Sequence, residues 1–149
     1  MLSKSFANGT RTWTAPGGEL RFWRPAPYVL VLRFRGSLFD IEFARIAVMA
    51  INEVVFSCPD KVDIFHDWEA MELYTSDARA ELTELGLRLV TRLNSLSVLT
   101  GSNLVEMGVT MAGIKLGGIR MFNTRADFEQ AVRYAVESRG GTYMPLPPE

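Results

Sequence analysis

The chain has 149 residues, of which 48% are apolar or aromatic and 22% are charged, which is the composition of a globular domain and excludes collagen, coiled coil and bulk disorder. A single cysteine, Cys58, excludes an intramolecular disulfide, and a single histidine, His66, excludes a two-histidine zinc site. The formal net charge of −1 argues against a nucleic-acid binder. We therefore expect no metal, no cofactor and no nucleic-acid partner.

The charge is unevenly distributed along the chain. Residues 1–35 hold six basic residues and one acid, whereas residues 36–100 hold five basic residues and eleven acids. Two interpretations stay open: two solvated faces of one domain, or a polar surface that meets a charged partner or a second copy of the chain.

The N-terminal third predicts an arm followed by a hairpin. Residues 1–18 are rich in turn formers and lack periodicity, which indicates a flexible arm. Residues 20–24 and 28–35 are strand-like and are separated by Pro25-Ala26-Pro27, so an antiparallel hairpin is expected. Its solvent side is expected to carry Arg21, Arg33 and Arg35.

Helices and strands alternate in the rest of the chain. The first helix is predicted to begin with a capping box, Ser37 to Asp40, and to end before Pro59. The further predicted elements are a strand at 61–66, a helix at 75–94, a strand at 96–100, a helix from 102 or 103 to 115, a strand at 119–123 and a helix at 124–139. Gly108 and Gly113, in the helix that ends at residue 115, indicate close packing of that helix against the sheet.

This order, β-β-α-β-α-β-α-β-α, predicts an α/β fold. It favours a single, mostly parallel sheet with an antiparallel N-terminal hairpin and helices packed on the sheet, because crossovers place helices between parallel neighbours. The predicted domain spans residues 19–140, with the arm at 1–18 and an extended tail at 141–149. No apolar run reaches the roughly 18 residues of a membrane span, and no secretory signal is visible, so a cytoplasmic protein is expected.

The element order and one local segment resemble the STAS domain, the family of SpoIIAA-like anti-sigma factor antagonists and of sulfate-transporter tails. Asp67 follows the third core strand, as an acid does in the family, and Thr75-Ser76-Asp77-Ala78 stands where the family has D-S-S/T-G at a helix start. Three of these four positions differ from the motif. The resemblance implies a binding module, and it does not carry over a phosphosite.

Candidate site residues cluster around this helix start. Ser76 and Thr75 are candidates for phosphorylation, because the free N–H groups and the dipole of a helix N-terminus favour negative charge; a plain N-cap is the alternative. The candidate interaction surface consists of Asp67, Trp68, Glu69, Glu72, Tyr74, Asp77 and Arg79. Arg79 is expected to pair with Glu72 or Asp77.

Three functions remain open from the sequence. The first is a non-catalytic protein–protein interaction module in bacterial-type signalling or regulation, switched near Thr75 and Ser76, with homodimerisation as a further option. The second is a carrier or sensor of a small, lipid-like apolar ligand beneath the Met-bearing helix. Its methionines, Met107 and Met111, are expected to fill the core or line a pliable pocket. The third is a hydrolase that uses His66, which forms with Asp67 the only pair of adjacent His and acidic residues in the sequence. We expect no enzyme and no catalytic residue.

Overall fold

A computed structural model of the protein describes residues 3–7 and 9–143, with side chains from Gly9 onward. Within these ranges the chain forms nine strands and four helices. The strands are β1 (Ser3–Ala7), β2 (Thr10–Ala15), β3 (Gly18–Ala26), β4 (Val29–Gly36), β5 (Leu38–Phe39), β6 (Val62–Trp68), β7 (Leu73–Tyr74), β8 (Leu93–Thr100) and β9 (Arg120–Phe122). The helices are α1 (Ile41–Ser57), α2 (Ser76–Leu89), α3 (Asn103–Leu116) and α4 (Arg125–Glu137). None of these helices is long and apolar enough to cross a membrane.

Seven strands form one mixed sheet in the order β1-β2-β3-β4-β6-β8-β9. The strands from β1 to β4 pair antiparallel, and β4, β6, β8 and β9 pair parallel. Each parallel neighbour is reached through a helix, as a crossover requires. The short strands β5 and β7 form a separate parallel pair. The predicted α/β fold is confirmed, and every predicted element from residue 20 onward has a counterpart.

Helices cover both faces of the sheet. The helices α1, α2 and α3 share one core with Leu30 and Leu32 of β4, and α4 shares the other with Val29 and Val31. Successive side chains of a strand point to opposite faces, and all four of these are fully buried. The strand β4 is therefore a central strand with an apolar core on each side.

The predicted flexible arm is wrong where the structure describes it. The strand β2 pairs with β3 from Thr10↔Trp23 to Ala15↔Gly18, and β1 pairs with β2. Threonine and tryptophan favour strands, so the segment 10–15 extends the sheet, whereas the neighbouring glycines and proline belong to turns. The predicted tail, 141–149, lies outside the described residues beyond Tyr143.

The first helix begins later than predicted. Asp40, rather than Ser37, is its N-cap: the Asp40 Oδ1 atom accepts hydrogen bonds from the backbone N–H groups of Glu42 (3.1 Å) and Phe43 (3.2 Å). The preceding residues are in β5, whose pairing with β7 holds them extended. A capping box starting at Ser37 is therefore excluded.

The second helix ends earlier than predicted. It stops at Leu89, and a 3₁₀ turn at Val90–Arg92 leads into β8. Asn94 lies in that strand, where its side-chain amide donates a 2.9 Å hydrogen bond to the buried carboxylate of Asp63. This long-range polar contact outweighs the local helical pattern that predicted a helix as far as residue 94.

Candidate functional site

The start of α2 is capped by Thr75 and not by Ser76. The Thr75 Oγ1 atom accepts a 3.2 Å hydrogen bond from the backbone N–H of Ala78, and Ser76 is the first helical residue, with an exposed side chain. Asp77 is also exposed, and a hydrogen bond with the Thr75 side chain is the main cause that lowers the pKa of its carboxyl. Phosphorylation of Ser76 or Thr75 stays a prediction.

The predicted interaction surface is divided by the sheet. The strand β6 continues to Trp68, so its successive side chains alternate between the two faces. His66 points towards α2 and α3, whereas Asp67 points towards the start of α4. The two side chains therefore do not form a His–acid pair, and the hydrolase hypothesis loses the pair on which it was based.

Asp67 is the buried centre of a charge cluster that reaches the surface at Glu69. We call it the Asp67 cluster, and it contains Asp67, Arg33, Arg125 and Glu69. The Asp67 carboxylate is 2% exposed and contacts the guanidinium groups of Arg33 (2.9 Å) and Arg125 (3.0 Å). Glu69 contacts Arg125 at 2.8 Å. Desolvation works against the charge of Arg125, but its hydrogen bonds with Asp67 and Glu69 prevail and raise its pKa.

Two predictions about charged residues are therefore corrected. Asp67 was predicted on an accessible surface, yet its two ion pairs and its burial remove it from contact with a partner. Arg33 was predicted on the solvent side, yet it is mostly buried against Asp67. Arg11 likewise pairs with Glu53 at 2.7 Å, so part of the basic N-terminal charge meets the acidic middle segment within one chain.

An apolar cavity of about 80 Å³, here called the helix cavity, lies on the opposite face, between the sheet and the helices α2 and α3. Three residues of the predicted surface, Trp68, Tyr74 and Arg79, line it together with His66. Apolar side chains form most of the remaining wall, among them Leu82, Leu85, Leu89, Leu93, Leu96, Val98, Val105, Val109, Leu116 and Ile119. Glu72 and Asp77 are exposed outside it.

His66 is the buried imidazole of this cavity. Its ring packs against Trp68 with a centroid distance of 4.7 Å. Within the described ranges no hydrogen bond reaches the ring, and desolvation lowers the pKa of His66 to about 4. The imidazole is therefore neutral at neutral pH, with a donor and an acceptor nitrogen.

Arg79 is a second polar group of the cavity. Its guanidinium carbon lies 5.9 Å from the centroid of the Tyr74 ring. The predicted ion pair with Glu72 or Asp77 is not formed, and the side chain of Arg79 has no hydrogen bond or ion pair among the residues that the structure describes. Asp77 is instead influenced by the charge of Arg45.

Two glycines set the spacing of the helices around the cavity. A Cβ atom at Gly108 would collide with the Tyr74 hydroxyl, and one at Gly86 would lie 2.9 Å from a side-chain methyl of Leu116. Close packing of α3 is thus present at Gly108, but against Tyr74 of β7 rather than against the seven-stranded sheet. The contribution of Gly86 was missed, although a glycine inside an apolar helical pattern is a signal of close approach.

The methionines of α3 are not where they were predicted. Met107 and Met111 are 64% and 54% exposed, and neither fills the core nor lines the helix cavity. With Leu104 and Ile114 they form an exposed line along the helix, here called the α3 row. The helix carries apolar residues on nearly all sides, so its sequence does not indicate which side is buried.

The described side chains offer few other reactive groups. They bring together no group of three His, Cys, Asp or Glu residues that could hold a metal ion. Cys58 is buried, its thiol donates a 2.9 Å hydrogen bond to the carbonyl of Pro27, and Arg24 contacts its sulfur at 2.9 Å. A buried thiol in these contacts acts as part of the core.

Comparisons with known proteins identify the fold. The chain is similar to a protein of the DUF3478 family from Shewanella loihica PV-4, described as uncharacterized and as having a SpoIIAA-like fold. The TM-score is 0.55 at 10% sequence identity, and the match covers 89% of this chain and 92% of the other. No family model matches the sequence, and no curated protein is significantly similar to it. The chain therefore has the SpoIIAA-like fold that the sequence predicts.

Proposed function

We propose that the protein is a non-catalytic binding module that carries or senses a small apolar ligand in the helix cavity. The observation that supports this function is an apolar cavity whose buried imidazole, His66, has no hydrogen-bond partner in the described part of the chain. Ligand pockets typically combine an apolar wall with a few polar groups that orient the ligand.

The size of the cavity supports a ligand rather than a packing defect. Protein interiors rarely contain voids larger than a water molecule. An engineered apolar cavity of about 150 Å³ stays dry and binds benzene, so a cavity of this kind takes small apolar molecules.

Titration with 1-hexanol, followed by amide chemical shifts, tests the proposed function. We expect shifts to concentrate on α2, α3 and β6 and to saturate. Substitution Ala112→Leu adds volume to the cavity wall and should weaken binding by about tenfold, whereas Ala80→Leu, on the exposed side of α2, should leave it unchanged. Absence of saturable shifts in the folded protein, or equal effects of the two variants, would overturn the proposal.

Protein–protein interaction is the second candidate, and the α3 row favours it. Its four side chains, which are 46–81% exposed, follow one another at intervals of three, four and three residues. This spacing is typical of the seam through which helices associate, and exposed apolar patches mark interaction sites. The partner that we infer is a second copy of the chain, because such a seam is complementary to itself.

Sedimentation equilibrium tests this second candidate. The protein should form a dimer, and the double substitution Met107→Glu and Ile114→Glu should produce a monomer. Phe56→Glu is the matched control, because Phe56 is 68% exposed but lies on α1. A monomeric natural protein, or a dimer that survives the double substitution, would exclude self-association through α3.

A further inference from the structure

We propose that the ligand of the helix cavity is an amphiphile with an anionic head group, and that Arg79 binds this head group while the apolar chain lies beneath α2 and α3. The inference rests on the proposed function and names the chemical class of its ligand. Three observations support it: the polarity of the cavity wall, the guanidinium of Arg79, which has no ion pair among the described residues, and the lack of a carboxylate among the described residues that line the cavity.

The cavity is polar at one end and apolar at the other. Three of its polar residues, His66, Trp68 and Tyr74, lie at the ends of β6 and β7, and Arg79 lies in the first turn of α2. Thr83 also lines the cavity one turn later, but its hydroxyl donates a 2.9 Å hydrogen bond to the carbonyl of Arg79. The opposite end is formed by the end of α2, the start of β8 and the end of α3, with the side chains of Leu89, Leu93, Leu96, Leu116 and Ile119. A ligand that matches this wall has one polar end and one apolar end.

The sheet register gives the distance between the two ends. His66 pairs with Val98 of β8, and Leu93 stands five residues earlier in the same strand. At about 3.3 Å per residue the two positions are roughly 16 Å apart. Residues of the cavity wall thus extend over roughly 16 Å along the strands, which suits a chain rather than a compact ring.

Arg79 is the charged residue best placed to determine which head group binds in the cavity. It is half-buried, and within the described residues its side chain forms neither an ion pair nor a hydrogen bond. The nearby carboxylates do not pair with Arg79. Asp77 forms hydrogen bonds with Thr75 and Ala78, and Glu72 is exposed. A guanidinium presents a fork of donors that fits the oxygens of a carboxylate or a phosphate.

The neighbouring polar groups add hydrogen bonds but no negative charge. The uncharged imidazole of His66 and the hydroxyl of Tyr74 can each donate one hydrogen bond to an anionic oxygen. A cationic head group would be repelled by Arg79, and the described residues of the cavity wall include no carboxylate that could bind it. Anionic amphiphiles are therefore preferred over alcohols, and alcohols over amines.

A series of ligands with the same chain tests this order. Hexanoate, hexyl phosphate, 1-hexanol and hexylamine are titrated into the full-length protein, and amide shifts on α2, α3 and β6 report binding in the cavity. We expect hexanoate, hexyl phosphate or both to bind at least about tenfold more tightly than 1-hexanol. Charge-assisted hydrogen bonds to a half-buried guanidinium give a gain in affinity of that size. The carboxylate and phosphate arms distinguish a fatty acid from a phospholipid head group.

Two arginine variants locate the effect. Arg79→Gln should remove the advantage of the anions and leave 1-hexanol within about twofold, whereas Arg88→Gln, an exposed arginine of the same helix, should change nothing. Arg79→Lys should recover part of the advantage, and far-ultraviolet circular dichroism verifies that each variant is folded. Saturable binding of 1-hexanol with no preference for the anions, or a preference that survives Arg79→Gln, would overturn this inference and leave the proposed function in place. Failure of all four ligands to bind would overturn the proposed function itself.

Discussion

Asp63 and Asp67 stand four residues apart on the same face of β6 and bind arginines at opposite ends of α4. Asp67 contacts Arg125, the first residue of the helix, at 3.0 Å, and Asp63 contacts Arg139, just beyond its last turn, at 3.6 Å. Phe65 lies between the two aspartates and belongs to the core beneath α4. The helix α4 is thus attached to the sheet at both ends by ion pairs and in the middle by apolar packing.

The ion pairs between the sheet and α4 affect the stability of the fold most where their charges are buried. The Asp67 carboxylate is almost inaccessible and accepts hydrogen bonds from Arg33, Arg125 and the backbone of Glu69. Removing one partner of a buried ion pair is more damaging than the net value of the pair, because charges remain without compensation. The Asp67 cluster therefore holds β4, β6 and α4 together, and it is a structural element.

We predict that Asp67→Asn destabilises the fold by about 3 kcal/mol. The substitution preserves the volume but removes the charge that Arg33 and Arg125 share, and of the two arginines Arg125 keeps its ion pair with Glu69. Urea unfolding measures the change in the free energy of unfolding. Arg133→Gln is the control, because Arg133 and Glu137 form an exposed pair at 3.9 Å, and it should change stability by less than about 0.5 kcal/mol. A loss for Asp67→Asn as small as that of the control would contradict the structural role of the cluster.

The pH dependence of stability should report His66. Its pKa is about 4 in the folded protein and about 6.5 in the unfolded chain, so between these values the unfolded state binds more protons. Stability is consequently retained above pH 6.5 and lost as the pH falls from there towards 4. The loss from this group between pH 7 and pH 5 is about 2 kcal/mol.

The chain has one histidine, so one variant isolates this effect. Urea unfolding of the natural protein and of His66→Gln is compared at pH 7 and pH 5. Between pH 7 and pH 5, the natural protein should lose about 2 kcal/mol more of its unfolding free energy than the His66→Gln variant does. Parallel pH profiles would show that the imidazole is not desolvated as the structure indicates.

Local periodicity was sufficient to predict the fold from residue 20 onward. The helical repeat of α1 and the alternation of β6 are properties of neighbouring residues, and each identifies a buried face without any tertiary information. The same alternation, extended by two residues, places His66 and Asp67 on opposite faces. The two were grouped together because the strand was expected to end at His66, whereas its pairing with β8 carries it to Trp68.

The candidate site could be predicted only in part. Trp68, Tyr74 and Arg79 were identified from their position around the predicted helix start, and they line one cavity. The cavity itself depends on contacts such as Gly86 against Leu116, thirty residues apart, and the pairing of Asp67 with Arg125 spans 58 residues. Such contacts leave no periodic signal in the sequence. The orientation of α3 was missed for a different reason, since its apolar residues surround the helix.

The N-cap of α2 predicts different effects on stability for the adjacent hydroxyl groups of Thr75 and Ser76. Thr75→Ala removes the oxygen that accepts the hydrogen bond from Ala78 and should destabilise the protein by about 1 kcal/mol. Ser76→Ala, at an exposed position one residue later, should change stability by less than about 0.5 kcal/mol. Thermal unfolding of the two variants measures both values. Equal losses would show that Ser76 takes part in the cap.

Two glycines of α3 should respond to alanine with opposite signs. At Gly113 a Cβ atom would lie 3.6 Å from its nearest neighbour, an ordinary contact, so Gly113→Ala should stabilise the helix by up to about 1 kcal/mol. At Gly108 the same atom meets the Tyr74 hydroxyl, and crowding in a packed site costs about 1–3 kcal/mol, which exceeds the gain in helix propensity.

The double variant identifies the cause of the second effect. Combined with Tyr74→Phe, which removes the hydroxyl, Gly108→Ala should recover most of the lost stability, and the two substitutions should be non-additive by about 1 kcal/mol or more. Urea unfolding of the single and double variants measures this coupling. A stabilising Gly108→Ala would mean that Tyr74 moves freely out of the contact, and the polar end of the helix cavity would then be wider than its wall indicates.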